Sequence, residues 1–203
     1  EQIKLAHTSF NLSTSIGKFD WWKPPIQPSY NDDDANYDGP NTGAFPLNKT
    51  NYPYDWIIAR AWDKFVNDSS LEGYVTKTVL GKDQSGTYDI YRYEFTPKNY
   101  EKTIILSAAM HGWENIGTAV LSRIMHHICY DWESIPQLAY LRHKVRFIIL
   151  PFVNPWGYSN QSINDGRTNS NGVDINRNFD YAWNDYKVSD PSYDNKGSAP
   201  HSE

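Results

Sequence analysis

A histidine and a glutamate stand three residues apart in the segment His111-Gly112-Trp113-Glu114. Residues at positions i and i+3 of a helical turn share a face, so this imidazole and this carboxylate can converge on one point. Zinc accepts imidazole nitrogen and carboxylate oxygen at about 2.0–2.2 Å. For an isolated pattern this short, a purely structural interpretation is favoured, in which Glu114 interacts with the positive end of a helix and His111 lies in a loop.

A second polar cluster follows further along the chain, where Arg167 and Arg177 flank a run of short amide side chains that includes Asn176. Arginine presents a rigid fork of donors that suits carboxylates. Such a loop could hold the anionic end of a substrate. An equally supported alternative is a loop stabilised by Asn and Asp turns, with Arg177 paired to Asp174 or Asp180.

Both clusters follow predicted strands. Residues 103–110 and 145–153 are apolar runs, typical of buried strands, and the first is predicted to be buried on both faces. A helix is predicted from about Glu114, and a short helical stretch over Ile135–Leu141. Strand, helix and strand at this spacing indicate a βαβ unit. The carboxyl ends of parallel strands are where open α/β sheets place their sites.

The segments outside this unit have simpler patterns. Apolar residues at helical spacing predict a helix that begins near residue 51. Val75–Leu80 and Tyr88–Phe95 are predicted to form two strands of a hairpin. From Asn154 onward, Asn, Asp, Gly and Ser dominate, which indicates long loops.

Composition excludes several classes of protein. The 203 residues carry 19 Lys and Arg against 24 Asp and Glu, a net charge of −5 that argues against nucleic-acid binding. The aromatic content of 15% excludes wholesale disorder. A single cysteine, Cys129, excludes an internal disulfide framework and is expected to pack as a small apolar residue. No apolar run approaches the roughly 18 residues of a membrane span, so no membrane partner is predicted.

Residues 1–50 differ from the rest, because Pro, Asp and Gly are interleaved with aromatic residues such as Trp21 and Trp22. This composition predicts an N-terminal extension that is wrapped on a surface. The alternative is a platform that stacks on sugar rings of a glycan or cell wall.

Four segments together resemble the zinc carboxypeptidase family of metallopeptidases, in the same order along the chain. Residues 111–114 resemble the family's first metal-binding motif, and residues 148–158 resemble the strand and turn before its substrate loop. Arg167 matches the arginine that polarises the scissile carbonyl. Residues 172–179 resemble the segment that binds the terminal carboxylate of the substrate. The match covers roughly residues 51–203, which are therefore interpreted as the N-terminal part of such a domain.

The resemblance implies an α/β fold with a mixed, mostly parallel sheet flanked by helices. It implies that His111 and Glu114 bind Zn²⁺ together with a later histidine, and that Arg167 is catalytic. Asn176 and Arg177 are implied to bind the carboxylate of a peptide or cell-wall peptide. The implied reaction is hydrolysis of a C-terminal peptide or peptide-like amide bond by metal-activated water.

The chain also departs from the family pattern. The third zinc ligand, the general-base glutamate and a substrate-covering tyrosine come later in the family, and this chain ends before all three. Residues 197–203 resemble a family segment that ends in Ser-Glu, which makes His201 a loop residue. We therefore expect an inactive fragment of an active enzyme, which either dimerises or retains its C-terminal remainder to cover an open sheet edge.

Two further functions stay open on the sequence alone. One is a related zinc deacylase or peptidoglycan-directed amidase on the same fold, because a zinc site does not dictate the acyl group. The other is a non-catalytic glycan-binding or cell-wall-binding module that uses the aromatic N-terminal segment. The turn-rich, aromatic composition favours an extracellular or virion-associated location.

Overall fold

The computed structural model describes residues 52–188 and 194–203. The predicted N-terminal extension over residues 1–50 lies outside these ranges, as does Asn51, where the first helix was expected to begin.

A four-stranded mixed sheet lies at the centre of the described part. Its strands stand in the order β1-β2-β4-β3. Their bounds are β1 Val75–Lys82, β2 Asp89–Phe95, β3 Lys102–Ser107 and β4 Val145–Leu150. β1 pairs antiparallel with β2, β2 pairs antiparallel with β4, and β3 pairs parallel with β4. The predicted mixed α/β sheet and βαβ unit are confirmed. Among the three pairings of the described strands, that of β3 with β4 is parallel and the other two are antiparallel.

The antiparallel pairing of β1 with β2 follows from the short connection between them. The buried carboxylate of Asp83 accepts hydrogen bonds from the backbone N–H groups of Thr87 at 3.1 Å and Tyr88 at 3.0 Å. Gly86 adopts a left-handed φ of +72° in this turn, a conformation that suits glycine. The predicted hairpin is therefore confirmed, with β1 running two residues further than expected.

β3 differs from its prediction, because it is not buried on both faces. Ile105 is 68% exposed and Ile104 is 37% exposed. The reason is position in the sheet: β3 pairs with β4 on one side and, among the described strands, is the last one in the order. β4, by contrast, buries alternate residues, with Val145, Phe147 and Ile149 at most 3% exposed. In the part of the chain that the structure describes, the edge of β3 that faces away from β4 pairs with no other strand.

Helices pack against the sheet. The bounds are α1 Tyr54–Ile57, α2 Asp63–Val66, α3 Ile116–His126, α4 Pro136–Lys144 and α5 Pro155–Ser159. Two π-helical turns, Ile58–Trp62 and His127–Asp131, follow α1 and α3. Trp62 is fully buried with its ring 5.2 Å from that of Tyr93 on β2, which joins the first helical segment to the sheet.

The buried stripe of α3 is partly polar. Thr118 donates a hydrogen bond from Oγ1 to the carbonyl of Pro151 at 2.7 Å, and Ser122 donates to the carbonyl of Ala61 at 3.2 Å. Two apolar residues of the predicted helical pattern, Ile116 and Val120, are instead 52% and 42% exposed. Small polar side chains thus allow α3 to approach the loop after β4, which brings the start of the helix close to the site. Cys129, in the π-helical turn after α3, is buried as expected.

Candidate active site

The backbones that follow β3 and β4 remain hydrogen-bonded beyond the strands. The N–H of Ala108 donates to the carbonyl of Leu150 at 3.0 Å. The N–H groups of Val153 and Asn154 then donate to the carbonyls of Ala108 and Ala109, both at 3.0 Å. The carboxyl ends of the two parallel strands are therefore fixed against each other, and the polar loops leave from one edge of the sheet.

Three glycines hold these loops in direct backbone contact. The N–H of Gly112 donates to the carbonyl of Gly166 at 2.7 Å. A Cβ atom on Gly112 would lie 2.1 Å from the carbonyl carbon of Gly157, and one on Gly157 would lie 2.3 Å from the carbonyl oxygen of Gly166. These distances exclude any side chain at either position without a shift of backbone. Because His111 precedes Gly112 and Arg167 follows Gly166, this contact sets the separation of two predicted site residues.

His111 is 5% exposed, and a carboxylate lies close to each of its ring nitrogens. Its Nδ1 lies 3.1 Å from Oε2 of Glu114, and its Nε2 lies 3.0 Å from Oδ1 of Asp174. The hydrogen bond to Asp174 raises the pKa of His111 above its ordinary value, aided by Glu114 and opposed by burial. The side chain of Glu114 is 66% exposed, so this carboxylate faces solvent beside the buried imidazole.

Asp174 is fully buried and joins the two predicted clusters. Besides the imidazole of His111, its carboxylate contacts Nη2 of Arg167 at 2.8 Å and accepts from the backbone N–H of Asn176 at 2.9 Å. This role was not predicted from the sequence, where Asp174 was expected only as a possible partner of Arg177. The feature of the sequence that could have indicated this role is the position of Asp174 within the segment 172–179, two residues before Asn176.

Asp194 holds the two predicted arginines close together. Its Oδ1 lies 2.9 Å from Nη2 of Arg167 and 3.7 Å from Nε of Arg177. The hydroxyl of Tyr186 donates to its Oδ2 at 2.7 Å, and this bond, with Arg167, lowers the pKa of Asp194 below its ordinary value against the effect of burial. The alternative in which Arg177 pairs with Asp180 is not observed among the described residues. The carboxylate that Arg177 contacts there is that of Asp194. No sequence pattern singled out Asp194.

Asn176 and Arg177 lie in the 3-10 turn Ile175–Arg177. Asn176 is exposed, and the Arg177 side chain is 27% exposed. Both line a shallow cavity with the aromatic residues that follow them. The two predicted substrate-binding residues are thus accessible, whereas Asp174 and His111 beside them are buried.

The donor atoms fit part of a zinc site. An imidazole whose second nitrogen is bonded to a carboxylate is the usual form of a metal-ligating histidine, since the outer carboxylate fixes the ring and its tautomer. His111 has this arrangement, with Glu114 at its other nitrogen. Within residues 52–188 and 194–203, no group of three His, Cys, Asp or Glu side chains could hold a metal ion. His201 is exposed, and its ring lies edge-on to that of Phe179 at 6.2 Å.

The family model for zinc carboxypeptidases matches residues 67–203. The chain belongs to the zinc carboxypeptidase family. Human carboxypeptidase D is 36% identical over 75 residues, which cover 34% of this chain and 5% of the relative. The catalytic chain of human carboxypeptidase N is 33% identical over 148 residues, which cover 66% of this chain and 31% of the relative. The chain therefore spans less than a third of the length of these curated relatives.

Solved structures give the same fold. Thrombin activatable fibrinolysis inhibitor superimposes with a TM-score of 0.57 at 21% identity, over 74% of this chain and 39% of that chain. Carboxypeptidase A from Helicoverpa armigera also gives a TM-score of 0.57 at 21% identity, over 73% of this chain and 39% of that chain. The predicted family and the predicted α/β fold are confirmed. The roles assigned to individual site residues stay predictions.

The described residues contain no helix long and apolar enough to cross a membrane. The extracellular or virion-associated location stays a prediction, as do the absence of nucleic-acid partners and the dimer or retained fragment.

Proposed function

We propose that the protein to which this chain belongs is a zinc-dependent metallocarboxypeptidase that hydrolyses the C-terminal peptide or peptide-like amide bond of its substrate. The observation that carries this proposal is the position of the buried His111 imidazole between two carboxylates, those of Glu114 and Asp174. Asp174 comes 63 residues after His111 in the sequence. Family membership supports the same reaction class.

His111 and Glu114 supply two zinc ligands in this proposal, with His111 Nδ1 as the donor atom because its Nε2 faces Asp174. Zinc, when bound, supplies a water whose pKa is lowered toward about 7 and which is therefore a nucleophile at neutral pH. The third ligand is proposed to be a later histidine and the general base a later glutamate of the full-length protein, as the family resemblance implies. Asp174 acts as a positioning residue, because it touches the ligand rather than the reacting atoms.

Arg167 is assigned to the oxyanion that develops on the scissile carbonyl. Its side chain is 15% exposed, and its guanidinium is fixed by the carboxylates of Asp174 and Asp194. A donor that is held before the reaction costs no reorganisation when charge develops, and such a donor is worth about 3–4 kcal/mol in the transition state. The shared contact of Arg167 and His111 with Asp174 supports a position beside the metal.

Asn176 and Arg177 are assigned to the terminal carboxylate of the substrate. The fork of donors of an arginine suits a carboxylate. Arg177 is accessible, and it contacts the same carboxylate oxygen of Asp194 that Arg167 contacts. Binding the chain end at Arg177 would place the last peptide bond next to Arg167. The proposed substrate is therefore a peptide or cell-wall peptide with a free carboxylate.

Hydrolysis by the full-length protein tests the proposal. A panel of peptides with free C termini, the same peptides amidated, and cell-wall peptides with D-residues is incubated with the protein, and released amino acids are quantified. Release of single C-terminal residues, abolished by a zinc chelator and restored by zinc, is the expected result. Cleavage of wall amides without release of terminal residues would favour a zinc amidase, and no chelator-sensitive hydrolysis would contradict the proposal.

A further inference from the structure

The buried amide of Asn178 joins two segments of the chain. Asn178 directly follows the 3-10 turn Ile175–Arg177 and is 3% exposed. Its side chain forms hydrogen bonds with four residues of the 194–203 segment. The partners are the carbonyl oxygens of Lys196 (2.8 Å) and Ala199 (3.0 Å), the hydroxyl oxygen of Ser202 (3.0 Å) and the backbone N–H of Glu203 (3.0 Å). Nothing in the reaction assigned above uses Asn178.

The amide of Asn178 matches these partners in both of its functions. Its nitrogen carries two hydrogens and faces acceptors, whereas its oxygen faces a donor, so the whole hydrogen-bonding capacity of the side chain is directed at one segment. Gly197 shows how closely that segment lies against Asn178. A Cβ atom on Gly197 would lie 2.5 Å from Nδ2 of Asn178, and Gly197 has a left-handed φ of +82°. Breaking these buried hydrogen bonds would leave polar groups without partners, which is costly.

The 194–203 segment carries the carboxylate that both predicted site arginines contact. Asp194 stands two residues before Lys196, whose carbonyl accepts from Asn178. Its Oδ1 lies 2.9 Å from Nη2 of Arg167 and 3.7 Å from Nε of Arg177. The position of this segment therefore determines where the carboxylate meets the two guanidinium groups.

A second path leads from the same segment to Arg177 through an aromatic ring. Nζ of Lys196 donates to the carbonyl of Tyr186 at 3.1 Å. The ring centre of Tyr186 lies 5.2 Å from the guanidinium carbon of Arg177, and its hydroxyl donates to Oδ2 of Asp194 at 2.7 Å. The ring and the carboxylate that contact Arg177 are thus both attached to the segment that Asn178 holds.

We infer that Asn178 is a positioning residue for the terminal carboxylate of the substrate. Its amide fixes the 194–203 segment and, through Asp194 and Tyr186, the direction in which Arg177 presents its guanidinium. The inference rests on the proposed carboxypeptidase function and adds a residue that acts through Arg177 rather than on the substrate itself. Because hydrogen bonds weaken steeply when donor and acceptor are misaligned, a guanidinium released from this support binds a carboxylate less tightly.

Ligand-detected NMR titration of the full-length protein tests the inference without hydrolysis. The probes are 4-methylpentanoate, a carboxylate, and 4-methylpentanamide, its neutral counterpart, neither of which has a peptide bond. The parent protein should bind the acid about tenfold or more tightly than the amide, as expected for a hydrogen bond to a charged group. Asn178→Ala should reduce this preference to about threefold or less, because the guanidinium is no longer aligned. Arg177→Gln, which removes the guanidinium itself, should bind both probes equally.

Ser122→Ala is the matched control, because Ser122 is also buried and donates to a backbone carbonyl, that of Ala61. A purely structural role of Asn178 would lower the fraction of folded protein but keep the parent's preference for the acid, as expected for Ser122→Ala. Circular dichroism checks the fold of each variant. If Asn178→Ala does not fold, Gly197→Ala disturbs the same contact from the other segment and should lower the preference in the same direction.

A folded Asn178→Ala or Gly197→Ala variant that keeps the parent's preference would overturn the inference. A parent protein that binds acid and amide equally would overturn it as well, together with the carboxylate role of Arg177. Failure of the proposed function is read separately, as absence of chelator-sensitive hydrolysis by the full-length protein.

Discussion

Nε2 of His111 and Oδ1 of Asp174 lie 3.0 Å apart although 63 residues separate them in sequence. Asp174 is fully buried and His111 nearly so, and burial makes a charge-assisted hydrogen bond stronger and its loss more costly. The same carboxylate holds Arg167. One buried side chain thus sets the positions of a predicted zinc ligand and of the predicted oxyanion donor.

Asp174→Asn should weaken zinc binding by about 10–100-fold in the full-length protein, because outer carboxylates orient and polarise the ligating imidazole. Zinc affinity is measured by competition with a chromophoric chelator. Asp180→Asn, at an exposed aspartate six residues on, is the control and should bind zinc like the parent protein. Equal affinities of the two variants would remove Asp174 from the positioning role.

Gly112→Ala should destabilise the chain, since its Cβ would lie 2.1 Å from the carbonyl carbon of Gly157. Backbone must move to relieve this overlap, at a cost of at least about 1–3 kcal/mol. The free energy of unfolding is measured by urea denaturation. Gly117→Ala on α3 is the control: its Cβ would meet the Ala108 methyl at 3.1 Å, a milder contact that the higher helix propensity of alanine partly offsets. A smaller loss of unfolding free energy for Gly112→Ala than for Gly117→Ala would show that Gly112 and Gly157 do not lie as close together as described.

Stability should fall as the pH is lowered from about 6.5 to about 4, because burial, aided by the charge of Lys64, lowers the pKa of His126 to about 4. In this window the unfolded chain binds a proton at His126 that the folded chain does not, so the free energy of unfolding rises with pH. The change is at most about 3.4 kcal/mol, since one pKa unit corresponds to about 1.36 kcal/mol. Asp131, whose Oδ2 lies 3.7 Å from Nε2 of His126, acts in the opposite direction.

Urea denaturation at a series of pH values measures this dependence. In His126→Gln the slope between pH 4 and 6.5 should be shallower than in the parent chain. An identical slope in both proteins would mean that another group carries the pH dependence.

Arg177→Ala in the full-length protein should reduce kcat/KM for peptides with a free C-terminal carboxylate by about 10–100-fold, as expected for the loss of a charge-assisted hydrogen bond worth about 1.5–3 kcal/mol. Amidated peptides, which offer no carboxylate, should lose much less. Both rates are measured side by side on the same sequences. An equal loss on both kinds of substrate would contradict a carboxylate-binding role.

Local patterns predicted the parts of the fold that depend on neighbours in sequence. The spacing of the two apolar runs and the intervening helix indicated the βαβ unit, and the short polar connection indicated the hairpin. The burial of β3 was predicted wrongly, because Ile104 and Ile105 look the same in sequence whether a strand is central or at an edge. The exposed Ile116 on α3 has a similar cause, since small polar residues form part of that helix's buried face.

In the candidate site, too, the sequence predicted the local motifs but not the contacts between distant loops. The order of the four motifs, the first of which contains His111 and Glu114, was enough to indicate the zinc carboxypeptidase family from the sequence. Asp174 as a bridge and Asp194 between the arginines could not be found in this way, because their partners come from loops that meet only in the folded chain.

Zinc stoichiometry of the full-length protein, measured by elemental analysis after dialysis against a zinc buffer, tests the central claim most directly. The parent protein should hold one zinc per chain, and Glu114→Ala and His111→Ala should each hold none while keeping a folded circular dichroism spectrum. Stoichiometric zinc in both variants would contradict the assignment of His111 and Glu114 as ligands.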